Sequence, residues 1–127
     1  MASTTQSRKA KGRRLQQAVR DKILESYPQL SERDVVSTPM GVPGADVQLS
    51  EKASTIFPFS VEAKNQEKLN IWSALAEAEG CNRDLTPLLV FKRNNSKTYC
   101  CLEIDDFFNL LLRERQNEID TDRKDTM

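Results

Sequence analysis

Apolar residues along the chain fall first at helical spacing. Leu15, Ala18, Val19, Ile23 and Tyr27 recur on one face while Arg14, Gln17, Asp21 and Glu25 lie elsewhere. That pattern predicts an amphipathic helix from about Lys11 to Ser26, which Pro28 ends. The period then changes to two. Val35-Val36 predicts a short strand that stops at Thr38-Pro39. A glycine- and proline-rich loop follows, then Asp46-Val47-Gln48-Leu49-Ser50 as a second strand and Phe59 to Lys64 as a third. Three consecutive strands make a meander. Helical spacing returns from Gln66 to Glu79 through Leu69, Ile71, Trp72, Leu75, Ala76 and Ala78, with Gly80 where a C-terminal cap belongs. Pro87 to Phe91 and Thr98 to Leu102 flank the turn-rich segment Arg93 to Lys97, a hairpin. Asp105 or Asp106 then caps a last helix through Phe107, Phe108, Leu110, Leu111 and Leu112. Trp72 and the Phe107-Phe108 pair sit at core spacing, so packing is expected of them before base stacking. The apolar face of the last helix equally suits a homodimer. The order describes a mixed α/β domain, its sheet covered by helices.

Composition narrows the class. A chain of 127 residues with 38% apolar residues supports one compact domain and is too short for two. The expected limits are a flexible basic arm over 1–10, one folded domain over 11–115 and a disordered charged tail over 116–127. Nineteen basic and 19 acidic residues cancel, so any attraction to nucleic acid must be local. With no run of about 18 apolar residues and no apolar leader, the expectation is a cytoplasmic protein away from membranes. Cys81, Cys100 and Cys101 lack CxxC spacing, and the adjacent pair on a strand points to opposite faces. Buried free thiols are expected, with neither a disulfide framework nor a zinc site. The chain has no histidine, which removes Ser-His-Asp, Cys-His and HNH-type chemistry and histidine-bound zinc. Chemistry here must run on carboxylates, lysine and a hard cation.

A period of two puts Glu62 and Lys64 on one strand face, and Asp46 with Gln48 on one face of the strand before. If those strands are neighbours over a common core, Asp46, Glu62 and Lys64 converge. Two carboxylates can hold Mg²⁺ through oxygen, and the cation polarises a phosphate and activates water. Lysine can orient that water or offset charge in the transition state. Pro43-Gly44 ahead of Asp46 leaves room for a phosphate. Alone, Glu-x-Lys occurs by chance in many proteins, and an alternating polar face is most often solvated sheet. The wider pattern is more specific: a Gly/Pro-led Asp46, an interval of 15 residues, then the apolar-flanked Glu62-Ala63-Lys64, then a helix.

That pattern resembles the PD-(D/E)xK, or restriction-endonuclease-like, nucleases, with Pro43-Gly-Ala-Asp46 and Glu62-Ala-Lys64 as the motif. The resemblance covers about residues 11 to 112 and implies an αβββαβ core, a mixed central sheet flanked by helices. It extends to archaeal-type Holliday-junction resolvases and small phage nucleases through the Lys11-Gly12-led helix and through Val35-Val36-Ser37, a strand ending in serine. The resemblance implies Asp46 and Glu62 as metal ligands for Mg²⁺, with Mn²⁺ as substitute, the Ala63 carbonyl as a further ligand and Lys64 as the water-orienting residue. Such resolvases carry a glutamate on the first helix where this chain has Gln16, which either joins the catalytic site through water or is a core-edge glutamine. Arg8, Lys9, Lys11, Arg13, Arg14 and Arg20 are expected to contact phosphates. Ser37, Gln66 and Lys68 are placed near the DNA. The expected activity is hydrolysis of phosphodiester bonds in branched DNA by a homodimer. The alternatives are a general phage nuclease acting on linear or nicked DNA, and a catalytically idle DNA-binding module of the same fold.

Overall fold

The computed structural model describes residues 4–82 and 84–125. Among them the elements run α1 (Thr5–Ser26), β1 (Val35–Ser37), β2 (Val47–Leu49), α2 (Glu51–Ile56), β3 (Phe59–Asn65), α3 (Ile71–Cys81), β4 (Thr86–Lys92), β5 (Tyr99–Cys101) and α4 (Ile104–Asp125). β1 and β2 pair antiparallel, with Val36 opposite Gln48. β3 runs parallel to β4, Glu62 opposite Leu89, and β4 pairs antiparallel with β5. The Asp46 N–H donates to the Val61 carbonyl at 2.9 Å and joins the first pair to the second sheet. The mixed α/β fold expected of the chain is present, but its strands form two small sheets, of which only the second is mixed, and the expected three-strand meander is broken between β2 and β3.

Alternation along β3 decides which helix covers which face. Val61 and Ala63 are buried in one core with Leu15 and Ile23 of α1, Val35, Val47 and Val90. Burial of such side chains stabilises by about 1.5–3 kcal/mol each. Glu62 and Lys64 turn to the other face, where they meet side chains of α3. The parallel step from β3 to β4 passes through α3, as a parallel connection requires.

Several boundaries differ from expectation. α1 begins at Thr5, because the Thr4 hydroxyl accepts the Ser7 N–H at 3.1 Å and the residues after it are mostly good helix formers. Residues 5–10, expected in a flexible arm, are therefore helical, and residues 1–3 lie outside the described residues. α2 stands inside the interval between the second and third strands, for which no helix was expected. Its six residues are too few to show a period, although Ser50 caps it by accepting the Ala53 N–H at 3.1 Å. α3 starts at Ile71, where the Asn70 side chain accepts the Ser73 N–H at 3.1 Å. Gly80 lies within α3 and does not cap it. α4 is capped by Glu103, whose carboxylate accepts from Asp105 N at 3.0 Å and Asp106 N at 3.3 Å, so neither aspartate is the cap. The helix continues through the segment expected to be a disordered tail as far as Asp125. Residues 126–127 lie outside the described residues.

Three packing expectations are overturned. Trp72 is 83% exposed, and Phe107 and Phe108 also stand open. Leu110, Leu111 and Leu112 are exposed with them, since α4 is not drawn onto the sheet by any extensive packing. The cysteines are free but not buried: Cys100 is exposed, Cys81 and Cys101 half-buried. No helix among the described residues is long and apolar enough to cross a membrane.

Candidate active site

Asp46 sits one residue ahead of β2, at the point where the two sheets meet. The loop before it turns through Gly41 at φ 84° and Gly44 at φ 110°, conformations that residues with a Cβ rarely adopt. Thr38 closes the loop by donating its hydroxyl to the Ala45 carbonyl at 2.6 Å and its N–H to the Asp46 carbonyl at 2.9 Å. The Asp46 backbone is thus bonded on both sides, to Thr38 and to Val61. Its carboxylate accepts the Ala63 N–H at 2.7 Å. In a strand the N–H and C=O of one residue point the same way, so the Ala63 carbonyl is on the Asp46 side as well.

Glu62, 7% exposed, comes up on β3 beside it. Lys64 Nζ lies 3.6 Å from Glu62 Oε1 and 2.8 Å from Glu77 Oε2 on α3. The Cys81 thiol lies 3.7 Å from Glu62 Oε2. Burial raises the Glu62 carboxyl to about 7, and the charge of Asp46 adds to the rise against the pull of Lys64. Asp46 is raised too, again by burial, although the Ala63 N–H and Lys64 hold it back. Burial works against the Lys64 ammonium, but its bond to Glu77 and the charges of Glu77, Glu62 and Asp46 outweigh this and raise its proton affinity. Glu77 is lowered by the same bond to Lys64.

The arrangement therefore crowds two carboxylates at a site where ionising both is costly. A divalent cation relieves that cost directly. No group of three or more His, Cys, Asp or Glu side chains placed to hold a metal occurs among the described residues. The fitting set is instead two carboxylates, Asp46 and Glu62, with the Ala63 carbonyl and water. All are hard oxygen donors, suited to Mg²⁺ or Mn²⁺.

These residues floor a cleft of about 670 Å³. Arg8, Lys9, Lys11 and Gln16 of α1 form one wall, and Gln66 and Lys68 after β3 form another. Gln16, 6% exposed, accepts the Ser37 hydroxyl at 3.0 Å, so Ser37 positions Gln16 rather than lining the cleft itself. Arg14 lines a second cleft beyond Lys11. Arg13 is exposed on α1 and lines neither. Arg20 is turned away from both: it donates from Nε to the Val35 carbonyl at 3.2 Å and lies 3.7 Å from Asp21, which makes it a helix-to-strand tie. Sequence reasoning missed Glu77, Cys81, Glu67 and Asn94. Packing of α3 brings in Glu77 and Cys81 and the β4–β5 turn brings in Asn94, whereas Glu67 follows β3 directly and is marked by its bond to the Asn94 N–H.

The model of the family described as "Phage putative PDDEXK endonuclease" matches residues 7–126. No curated protein and no solved structure matches the chain.

Proposed function

The chain belongs to this phage PD-(D/E)xK endonuclease family, and from that premise we propose a divalent-metal-dependent deoxyribonuclease that cuts branched DNA as a homodimer in the host cytoplasm. The observation that carries the reading is the meeting of Asp46, Glu62 and Lys64 at the floor of a cleft walled by Arg8, Lys9, Lys11 and Lys68. Asp46, Glu62 and the Ala63 carbonyl would hold Mg²⁺, Mn²⁺ substituting. When bound, the cation polarises the scissile phosphate and makes a hydroxide-like nucleophile available near neutral pH.

The chain's own residues do the rest. The Ala63 N–H fixes the Asp46 carboxylate and leaves its remaining lone pairs for a ligand. Lys64, kept charged by Glu77, orients the attacking water and offsets negative charge building on the phosphate. Gln16, locked by Ser37, offers a polar group at the cleft wall. The basic wall binds the flanking phosphates. Support for a branched substrate comes from the likeness of the Lys11-Gly12 helix to junction resolvases, and support for a dimer from the uncovered apolar face of α4.

The test is cleavage of a labelled four-way junction beside linear duplex and single-stranded DNA in Mg²⁺ or Mn²⁺, with Glu62→Ala and Lys64→Ala as controls. Paired symmetric cuts lost in both variants are expected. Cutting of every substrate would replace the junction reading by a general nuclease. DNA and metal binding without any cutting would leave an idle binding module.

A further inference from the structure

A second trough of about 580 Å³ runs beside the active-site cleft, between α1 and the turn joining β4 to β5. Lys11, Arg14, Lys92, Asn94, Asn95 and Thr98 line it, and among the described residues no carboxylate does. Lys11, Asn65 and Asn94 line both cavities, so the two lie side by side across these residues. In a chain of zero net charge this is a local excess of positive charge. Lys11, Arg14 and Lys92 form no ion pair among the described residues.

The turn that forms the trough's far wall is tied to the catalytic strand. The Gln66 N–H donates to the Lys92 carbonyl at 3.1 Å, and the Asn94 N–H donates to the Glu67 carboxylate at 2.8 Å. Asn95 holds the left-handed conformation, φ 60°, that turns the chain back. The Ser96 hydroxyl closes the turn by accepting the Arg93 N–H at 3.0 Å. A turn fixed this way presents its amides at a set position relative to Glu62 and Lys64.

We infer that this trough is a second nucleic-acid site, which takes the sugar-phosphate backbone of the strand continuing from the scissile phosphate, with the Lys92–Asn95 turn as its outer clamp. The inference rests on the nuclease reading for the word scissile, but the binding itself does not need cleavage. Cations without carboxylate partners suit phosphate oxygens, and side-chain amides suit sugar and base edges. The trough selects for substrates that extend past the cut on that side.

The test is fluorescence anisotropy of a labelled DNA duplex across a salt series, in Ca²⁺ so that no cleavage intervenes, with the native chain, Lys92→Gln, Arg14→Gln and Asn95→Gly. Glycine keeps the left-handed turn, so Asn95→Gly removes the amide alone. Each charge variant is expected to flatten the dependence of log K on log salt by about one phosphate's worth, a slope change near 0.9. Asn95→Gly is expected to weaken binding severalfold with the slope unchanged. In Mg²⁺, Lys92→Gln is expected to raise KM with kcat within about twofold. Native slopes and affinities in all three variants would overturn the inference. If the native chain binds but never cuts, the nuclease reading fails while the salt slopes still decide the trough.

Discussion

At the residue scale the governing fact is the strain between Asp46 and Glu62. A carboxyl raised in the folded protein stabilises it only while protonated. Its contribution is complete below the unfolded value near 4.5 and is lost as pH rises through about 7. Asp46 is shifted the same way. Glu77 and Asp34 are lowered, so their contributions persist above the ordinary carboxylate range and do not change between pH 5 and 8. The metal-free protein should therefore be more stable at pH 5 than at pH 8, by on the order of 2 kcal/mol. Thermal unfolding in a chelator checks this, and Glu62→Gln should flatten the profile. Adding Mg²⁺ at pH 8 should restore the lost stability, because a cation held between Asp46 and Glu62 would bind the folded site alone. Lys64 has a separate weak point in its bond to Glu77. Glu77 is about half exposed, so Glu77→Gln should cost less than about 1 kcal/mol of stability. The same change should lower kcat severalfold and shift the basic limb of the pH–rate profile downward, whereas Lys64→Ala should cost roughly 10²-fold or more.

At the scale of elements, each site residue depends on how its segment is anchored. The loop that delivers Asp46 turns at Gly44, where an added Cβ meets nothing within 4 Å. The cost of Gly44→Ala is therefore backbone strain alone, of order 1–3 kcal/mol, and it acts on the residue two places before Asp46. Urea unfolding should show that loss, together with a fall in activity larger than stability explains. α3 delivers Glu77 and Cys81, and its first turn is held by Asn70, so Asn70→Ala should cost about 1 kcal/mol. What was legible in the sequence follows the same division. β3 announced itself because Phe59 to Lys64 alternates, and alternation fixes which side chains share a face. With it came the pairing of Glu62 and Lys64, and the glycine-led Asp46 followed from turn chemistry. α2 was not legible, being shorter than two helical turns, nor was the start of α1, where a threonine cap extended the helix through polar residues. The roles of Arg20 and Glu77 depend on where α1 and α3 lie against the sheet. Spacing along one chain does not contain that information.

At the scale of the whole molecule the unresolved balance is α4. Ile104, Phe107, Phe108, Leu111, Leu112 and Ile119 fall on one arc of the helix, and all are exposed. Their spacing reads as a core stripe, yet nothing among the described residues covers it, which is why core packing was the wrong expectation. Contiguous exposed apolar stripes commonly mark an interface. A second copy is the economical cover, since a two-fold axis buries the same stripe against itself and gives two active sites for two strands. Sedimentation of the native chain at micromolar concentration should then show a dimer. Phe108→Asp and Leu111→Glu should give monomers with an unchanged fold, because α4 contributes little to the packing of the sheet. On a four-way junction these monomers should nick single strands while losing the paired cuts. A native chain that sediments as a monomer throughout would remove the dimer and the symmetric cut together, and leave the chemistry of Asp46, Glu62 and Lys64 untouched.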